Sequence, residues 1–497
     1  MTITTHDPRT GEAGAAVAET DGATLTEVLE RSARAAAQVA AVSPAQRREW
    51  ITAIADDLLA HRDELAELAE TETALGMPRL TGEVERAAGQ LRFYADVAAE
   101  GSYLGVTLDS AASLARVNHP LGPVAVFGAS NFPFAFGVLG NDTAAALSAG
   151  CPVVAKAHPA HPLLSNRLGE IAREALARAG APEGTFELVV GFEAGTAMVQ
   201  APQITAVAFT GSQQAGTALW RLANERESVI PVFAEMGTVN PVVVTPAGAE
   251  DAKGVAEGFI GSCTLGQGQF CTKPGLLLAP AGAGMPDAVA SALTAAGPTP
   301  IMLTRGIAEA VPTGIEQMTQ AGATVLAEVP APSSGWAAPA AVLTAPVSAL
   351  TPGSRLLEEC FGPVALVCEY ADEDELRDVL SVLQPSLAAS VVSGGDDDAL
   401  APQIAQLLAT RAGRVTHGDW PTGVAVSWAQ QHGGPWPATS APATTSVGAA
   451  AIDRFVRPVA YQSLPDGWLP PAAQQANPWS LPRRVDGQLV PAPQDRS

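Results

Sequence analysis

The sequence predicts an α/β protein with two doubly wound parallel sheets and a small strand region set aside for oligomerisation. Three observations carry this reading. Short apolar runs alternate with amphipathic segments from Pro120 onward, the alternation restarts after Gly237, and residues 24–100 read as helix. Strands alternating with helices form parallel sheets with right-handed crossovers, and such sheets bind ligands at the carboxyl ends of their strands.

The helices come first. Apolar and small residues recur at helical spacing in LTEVLERSARAAAQVA, from Pro44 to Leu59, and through RDELAELAETETAL and EVERAAGQLRFYADVAA. Ser43 before Pro44 reads as an N-cap followed by proline at the first helical position. The first sheet takes VAVF (124–127), PVVAKA (152–157), FELVV (186–190), ITAVAFTG (204–211) and VIPVFAE (229–235). The second takes NPVVVTP, GLLLAP, PVALVCEY and LAASVVS. The chain thus divides into residues 1–236, 237–435, and a final 436–497 that returns to the first unit. Residues 453–463, DRFVRPVAYQS, alternate like an exposed edge strand, which calls for a partner; a homodimer or homotetramer is expected. The tail beyond Leu464 is rich in Pro, Gln and Trp and is expected to wrap the surface.

Composition excludes several classes. With 47% hydrophobic and 16% charged residues in 497, the chain reads as a globular protein of more than one domain. No apolar run reaches the roughly 18 residues of a membrane span. The first twenty residues lack a basic start followed by an apolar run, so a cytoplasmic protein without membrane contact is expected. A net charge of −23 argues against nucleic acid, and any anionic ligand must find a local cluster of donors. Five cysteines without a CxxC pair read as free thiols, and no metal site is expected. His158 and His161 in KAHPAHP read as a loop pair without metal, because the prolines prevent a helical ligand face.

A few residues could carry chemistry. Cys271 lies in the glycine-rich GQGQFCTKPG, where Lys273 is expected to favour a thiolate; a small buried hydrophobe is the plainer reading. Glu235 ends an apolar strand, where a carboxylate faces the ligand crevice and partial desolvation suits it to act as a base. Otherwise it is a polar strand end. Asn131 follows VAVFGAS and offers an amide N–H to an oxyanion, although turn asparagines are commoner. Ser130 sits in a near miss of a GxSxG elbow whose last glycine is absent, which weakens a serine hydrolase. No GxGxxG occurs; the FTGS at 209–212, with Gly211 and Ser212 opening a helix, is the place left for a pyrophosphate.

In order along the chain, FGASNFPFAF, KAHP, AFTGS, EMGTVNP, GQFCTKPG and EECFGPV resemble the aldehyde dehydrogenase superfamily. GQFCTKPG, HGGPWPAT and ANPWSLPRRVDGQL are similar to the branch containing the NADP-dependent 2,5-dioxovalerate (α-ketoglutaric semialdehyde) dehydrogenases, with a long-chain aldehyde enzyme among its relatives. The resemblance implies an aldehyde dehydrogenase-like fold, with 1–236 binding the cofactor, NADP or NAD, and 237–435 catalytic. It implies Cys271 as nucleophile, Asn131 with the Cys271 N–H as oxyanion hole, and Glu235 as base for hydrolysis. Lys156 would contact the adenosine ribose, Gly211 and Ser212 the pyrophosphate, Glu359 the nicotinamide ribose, and Phe361 would pack beside the ring. Pro159 stands where many NAD-preferring relatives carry a ribose-binding glutamate, which admits NADP+, while Glu193 in VGFEAG opposes it. Dual use with some NADP+ preference is expected.

For the small-molecule aldehyde, a helix after Asn131 is expected to offer Phe132, Phe136 and Leu139 as tunnel walls, with Leu265 and Phe270 beside the nucleophile. Trp428 and His432 are candidates for the substrate loop, a packed loop being the plainer reading for both. Oxidation of 2,5-dioxovalerate to 2-oxoglutarate is the expected activity. A medium- or long-chain aldehyde dehydrogenase is the first alternative. A cysteine acyl hydrolase is the second and needs a histidine brought to Cys271 by folding. A non-catalytic scaffold would have no use for Asn131, Glu235 and Cys271 together, and the retained Glu235 favours water over another acyl acceptor.

Overall fold

The two alternating regions become two parallel sheets. The structure, a computed structural model, describes residues 1–493. Residues 124–236 form a five-stranded, all-parallel sheet in the spatial order Phe186–Val189, Val153–Lys156, Val124–Phe127, Ala206–Gly211, Val232–Met236. Residues 241–417 form a seven-stranded sheet in the order Thr324–Val329, Ala340–Thr344, Val364–Tyr370, Leu276–Pro280, Pro241–Val244, Ser386–Val392, Ala412–His417. Only its first pair is antiparallel. Nearly every residue of the central strands is buried, which is why they read as continuous apolar runs and not as alternating ones.

The N-terminal helices run over Gly22–Ala41, Pro44–Ala60, Arg62–Thr73 and Met77–Glu100. Ser43 caps the second, its hydroxyl accepting from the Gln46 N–H at 3.2 Å. These helices and the five-stranded sheet share the largest apolar core, including Trp50, Ile54, Leu91, Phe134 and Leu147.

A third sheet takes the strands Val456–Gln462, Leu114–Pro120, Thr107–Asp109, Arg483–Val485 and Gln488–Val490 in that order. Val456–Gln462 is its edge, as expected for DRFVRPVAYQS, and the tail contributes two strands where a surface wrap was expected. The strands at 107–120, the hairpin of Thr2–His6 with Ala13–Ala18, and the edge strand Ala412–His417 gave no apolar run to read, because each is short and half exposed. Residues 436–440 return beside Val232–Met236, with the Met236 N–H donating to Ala438 O at 2.9 Å and the Ser440 N–H to Ala234 O at 3.1 Å. No helix among the described residues is long and apolar enough to cross a membrane.

Candidate active site

A cavity of about 700 Å³ opens at the carboxyl ends of the five-stranded sheet, within the usual range for ligand pockets. The strand ends supply Lys156, Gly211, Ser212 and Glu235; facing loops supply Asn131, Cys271, Glu359 and Phe361. Sequence-distant candidates therefore meet around one space.

Cys271 lies half-buried on the wall. Its loop is held by unusual backbone: Gly266, Gln267 and Gly268 all have positive φ, and a Cβ on Gly268 would overlap the backbone of Gly362 and Pro363. Gln267 and Gln269 each accept a backbone N–H, from Ile301 at 2.7 Å and Leu303 at 3.0 Å. Asn240 finishes the clamp. Its Nδ2 donates to Cys271 O at 2.8 Å and Lys273 O at 3.0 Å, while its Oδ1 accepts from the Ala388 N–H at 3.1 Å.

The expectation for Lys273 is overturned. Its buried ammonium donates to Cys360 O at 3.1 Å and Val364 O at 2.7 Å, and so serves backbone carbonyls. The Cys271 thiol is not held as a thiolate either. Burial first, then the charges of Glu235 and Glu359, push its pKa well above the ordinary value.

A neighbour that could relieve this is His432. Its Nε2 lies 3.7 Å from the Cys271 sulfur and 3.4 Å from Glu235 Oε1, and both Glu235 and His432 are buried. The His432 backbone is fixed by the Thr445 hydroxyl and the Ser446 N–H. Both Glu235 oxygens and His432 Nδ1 are buried without a hydrogen-bond partner, so the trio has unused polar capacity. The donor atoms of all three lie within 4.8 Å of one another, the spacing of a metal-ligand set as well as of a proton relay. Positions 235, 271 and 432 carry no local spacing signal, so the metal-like grouping could not be read from the sequence.

Asn131 Nδ2 donates to Gln269 O at 2.7 Å, leaving its second N–H for the cavity. The segment around it departs from expectation. Residues 131–140 form no helix; the chain folds back, with the Ala129 N–H donating to Phe136 O, and the helix begins only at Asn141. Buried Glu83 holds this fold by accepting the Phe134 and Ala135 N–H groups at 3.0 and 3.1 Å. Phe132 and Phe136 line the cavity, but Leu139 is 1% exposed and packs in the main core. Leu265 is half exposed outside the cavity lining, because it ends the helix Ala252–Thr264. Phe270 sits behind the lining, edge-on to Phe132 at 4.8 Å between centroids. Trp428 is exposed and meets the edge of Phe93, while the other loop candidate, His432, reaches the nucleophile.

On the other side of the cavity, Glu359 is pushed up to about 7, by burial before the charge of Glu235, and its Oε1 lacks a partner. A Cβ on Gly237 would overlap this carboxylate where it stands, so a side chain there would displace Glu359. Lys156 is brought down to about 8 by burial. Ser212 caps the helix Gln213–Asn224, its hydroxyl accepting from the Ala215 N–H at 3.2 Å; no acidic residue occupies that first turn. His158 and Pro159 line the wall beside Lys156, with His158 stacked on His161. Glu193 is exposed in the first turn of Phe192–Gln200 and outside the lining. Arg79, Arg86 and Arg414 went unnoticed in the sequence. Arg79 and Arg86 share a helix face with Glu83 at spacings of four and three, beside the buried stripe Leu80, Val84, Ala87, and that was the available signal.

The model of the aldehyde dehydrogenase family matches residues 1–435. The chain is 44% identical over 460 residues to a protein named alpha-ketoglutaric semialdehyde dehydrogenase 2 from Azospirillum brasilense, covering 89% of this chain and 87% of that one. It is 39% identical over 488 residues to alpha-ketoglutaric semialdehyde dehydrogenase from Acinetobacter baylyi, covering 94% and 92%. Among solved structures, the NAD+ complex of an aldehyde dehydrogenase from Bacillus cereus superposes with a TM-score of 0.79 at 23% identity, over 93% of both chains. An aldehyde dehydrogenase C mutant from Pseudomonas syringae with NAD+ and octanal gives 0.80 at 22%, again over 93% of both. These two similarities establish the fold.

Proposed function

This chain belongs to the aldehyde dehydrogenase family, enzymes that oxidise aldehydes with NAD(P)+, and on that premise we propose that Cys271 is its nucleophile and 2,5-dioxovalerate its substrate. The observation that carries the reading is the cluster of Cys271, Glu235 and His432, in which Cys271 and Glu235 line the cavity together with Asn131 and buried His432 stands behind them. The names of the two relatives support the substrate.

The raised thiol pKa means that attack on the aldehyde carbon must be coupled to proton removal. His432 Nε2, bridging sulfur and Glu235, takes that proton. The oxyanion of the thiohemiacetal is met by the free N–H of Asn131, a kind of donor whose loss costs about 100- to 1000-fold. When bound, the nicotinamide supplies the hydride acceptor that turns this adduct into a thioester on Cys271. Glu235 then removes a proton from water, and the hydroxide displaces the sulfur to give the carboxylic acid. The residues fit the dinucleotide. Unpartnered Glu359 Oε1 can accept from ribose hydroxyls, the Gln213–Asn224 helix start suits a pyrophosphate, and Phe361 suits the ring. Lys156 without a neighbouring carboxylate at Pro159 supports acceptance of a 2′-phosphate, hence NADP+ as well as NAD+.

The Cys–His contact alone would also suit an acyl hydrolase; membership of the family decides for oxidation. Five free cysteines support a reducing, cytoplasmic setting, and the edge strand Val456–Gln462 supports a homo-oligomer built by sheet extension. The test is NAD(P)H formation from 2,5-dioxovalerate with product analysis: 2-oxoglutarate from the wild type and none from Cys271→Ala. Faster turnover of octanal than of 2,5-dioxovalerate would overturn the substrate.

A further inference from the structure

We propose that Arg86 and Arg414 form a carboxylate-binding subsite on the substrate side of Cys271, so that the enzyme is built for aldehydes bearing an acid group. The proposal rests on the reading of Cys271 as the nucleophile and deepens it by naming a substrate class and its anchor.

The two arginines come from distant parts of the chain and converge on one short loop. Arg86, on the helix Met77–Glu100, donates from Nη2 to Val424 O at 3.0 Å. Arg414, on the edge strand Ala412–His417, donates from Nη1 to Gly423 O at 2.8 Å and from Nη2 to Pro421 O. The same stretch of chain continues to His432, which touches the sulfur. The Arg86 guanidinium also lies over the faces of Phe132 and Phe136, 5.5 Å from each centroid, and both rings line the cavity with Cys271 and Asn131.

Neither cation is in direct contact with a carboxylate. Among the described residues, no carboxylate lies within ion-pair distance of Arg86 or Arg414, in a protein with 51 acidic and 28 basic side chains. Arg79, two turns before Arg86, is already committed: it pairs with Glu83 at 3.9 Å, donates to Asn131 O and lies over the Phe132 and Phe270 rings. Arg414 Nε is buried with no hydrogen-bond partner at all. Both Arg86 and Arg414 are half-buried and feel desolvation first; Arg86 is then attracted by Glu83 and by the Cys271 sulfur when it is charged, and Arg414 by that sulfur and by Asp419, none of them at contact distance. A desolvated cation without a counter-ion is costly, and a guanidinium fork matches a carboxylate bidentately. Backbone carbonyls hold the two forks in place, and an incoming acid supplies the missing charge. The negative protein needs this local cluster to admit an anionic substrate at all.

The test compares kcat/KM for 2,5-dioxovalerate, succinic semialdehyde and uncharged pentanal in the wild type, Arg86→Gln and Arg414→Gln. Each variant is expected to lose about 10- to 150-fold on the two aldehyde acids, the scale of one lost charged hydrogen-bond partner, with pentanal changed less than about threefold. Calorimetric titration of 2-oxoglutarate, the product acid, into the cysteine-reduced enzyme gives a second readout: binding in the wild type, weakened in both variants. An equal loss on pentanal would mean that the arginines merely pin the 421–424 loop, and would overturn the proposal, as would unchanged kinetics on both acids. If 2,5-dioxovalerate is a poor substrate while succinic semialdehyde depends on both arginines, the subsite stands and only the choice of acid in the functional reading falls.

Discussion

The two flanks of Cys271 are built in different ways. On the flank proposed for the cofactor, Lys156, Gly211, Ser212 and Glu235 stand at the carboxyl ends of parallel strands of one sheet, and the walls are mainly apolar. On the proposed substrate flank, Arg86 from an N-terminal helix lies over two aromatic rings of a folded-back loop, Arg414 from an edge strand holds the same 421–424 stretch as Arg86, and His432 from a coil reaches the sulfur. One flank is a property of the sheet. The other is assembled from segments that only the complete fold brings together.

The sharpest way to break this comparison is at its centre. Cys271→Ala is expected to reduce aldehyde oxidation to background while NADP+ binding, measured by fluorescence titration, stays within about threefold. A parallel loss of cofactor binding would mean that the sulfur is part of the cofactor flank. Glu235→Gln comes next: steady-state turnover should fall by about 100- to 10,000-fold while a stopped-flow burst of NAD(P)H persists. The same variant removes a charge that raises the thiol pKa, so alkylation of Cys271 by iodoacetamide at neutral pH should accelerate. A missing burst would move Glu235 to the acylation step.

Asn131→Ala should lower kcat by about 100- to 1000-fold with little change in cofactor affinity. On the cofactor flank the effect is smaller and depends on pH. Lys156, brought down to about 8 by burial, is charged below that value and neutral above it. NADP+ affinity should therefore weaken as pH rises through about 8, with NAD+ affinity nearly constant; equal pH profiles would remove Lys156 from the 2′-phosphate. Leu139→Ala separates packing from the substrate tunnel. It should cost about 2–5 kcal/mol of stability, read by denaturant unfolding, and leave kcat/KM for 2,5-dioxovalerate nearly unchanged.

The same asymmetry explains what could be read in the sequence. Lys156 is next to last in PVVAKA, Ser212 follows ITAVAFTG and Glu235 ends VIPVFAE, so each lies in or next to an apolar run that predicts both the strand and the crevice beyond it. Cys271 was visible through the glycines that its loop needs. The substrate flank had no such local grammar. Leu139 looked like a tunnel wall because a helix was assumed where Glu83, fifty residues earlier, imposes a reversal by holding two N–H groups. Lys273 looked like an activator of the thiol, but its ammonium is directed to carbonyls of the Cys360–Val364 segment, which only the packed loops reveal. His432 could be named, but its 3.7 Å approach to the sulfur depends on a return of the chain 161 residues later.

The Asn240 clamp has a mechanical consequence. A single amide moors the peptide groups on both sides of the sulfur to the strand containing Ala388, in the wide sheet, while Glu235 ends a strand of the narrow one. Relative rocking of the two layers would therefore alter the gap between the Glu235 carboxylate and the Cys271 sulfur without loosening the sulfur's own anchorage. On the proposed mechanism, the interval between making the acyl bond and cutting it would then depend on how the two sheets sit against each other, at a distance from every atom that reacts.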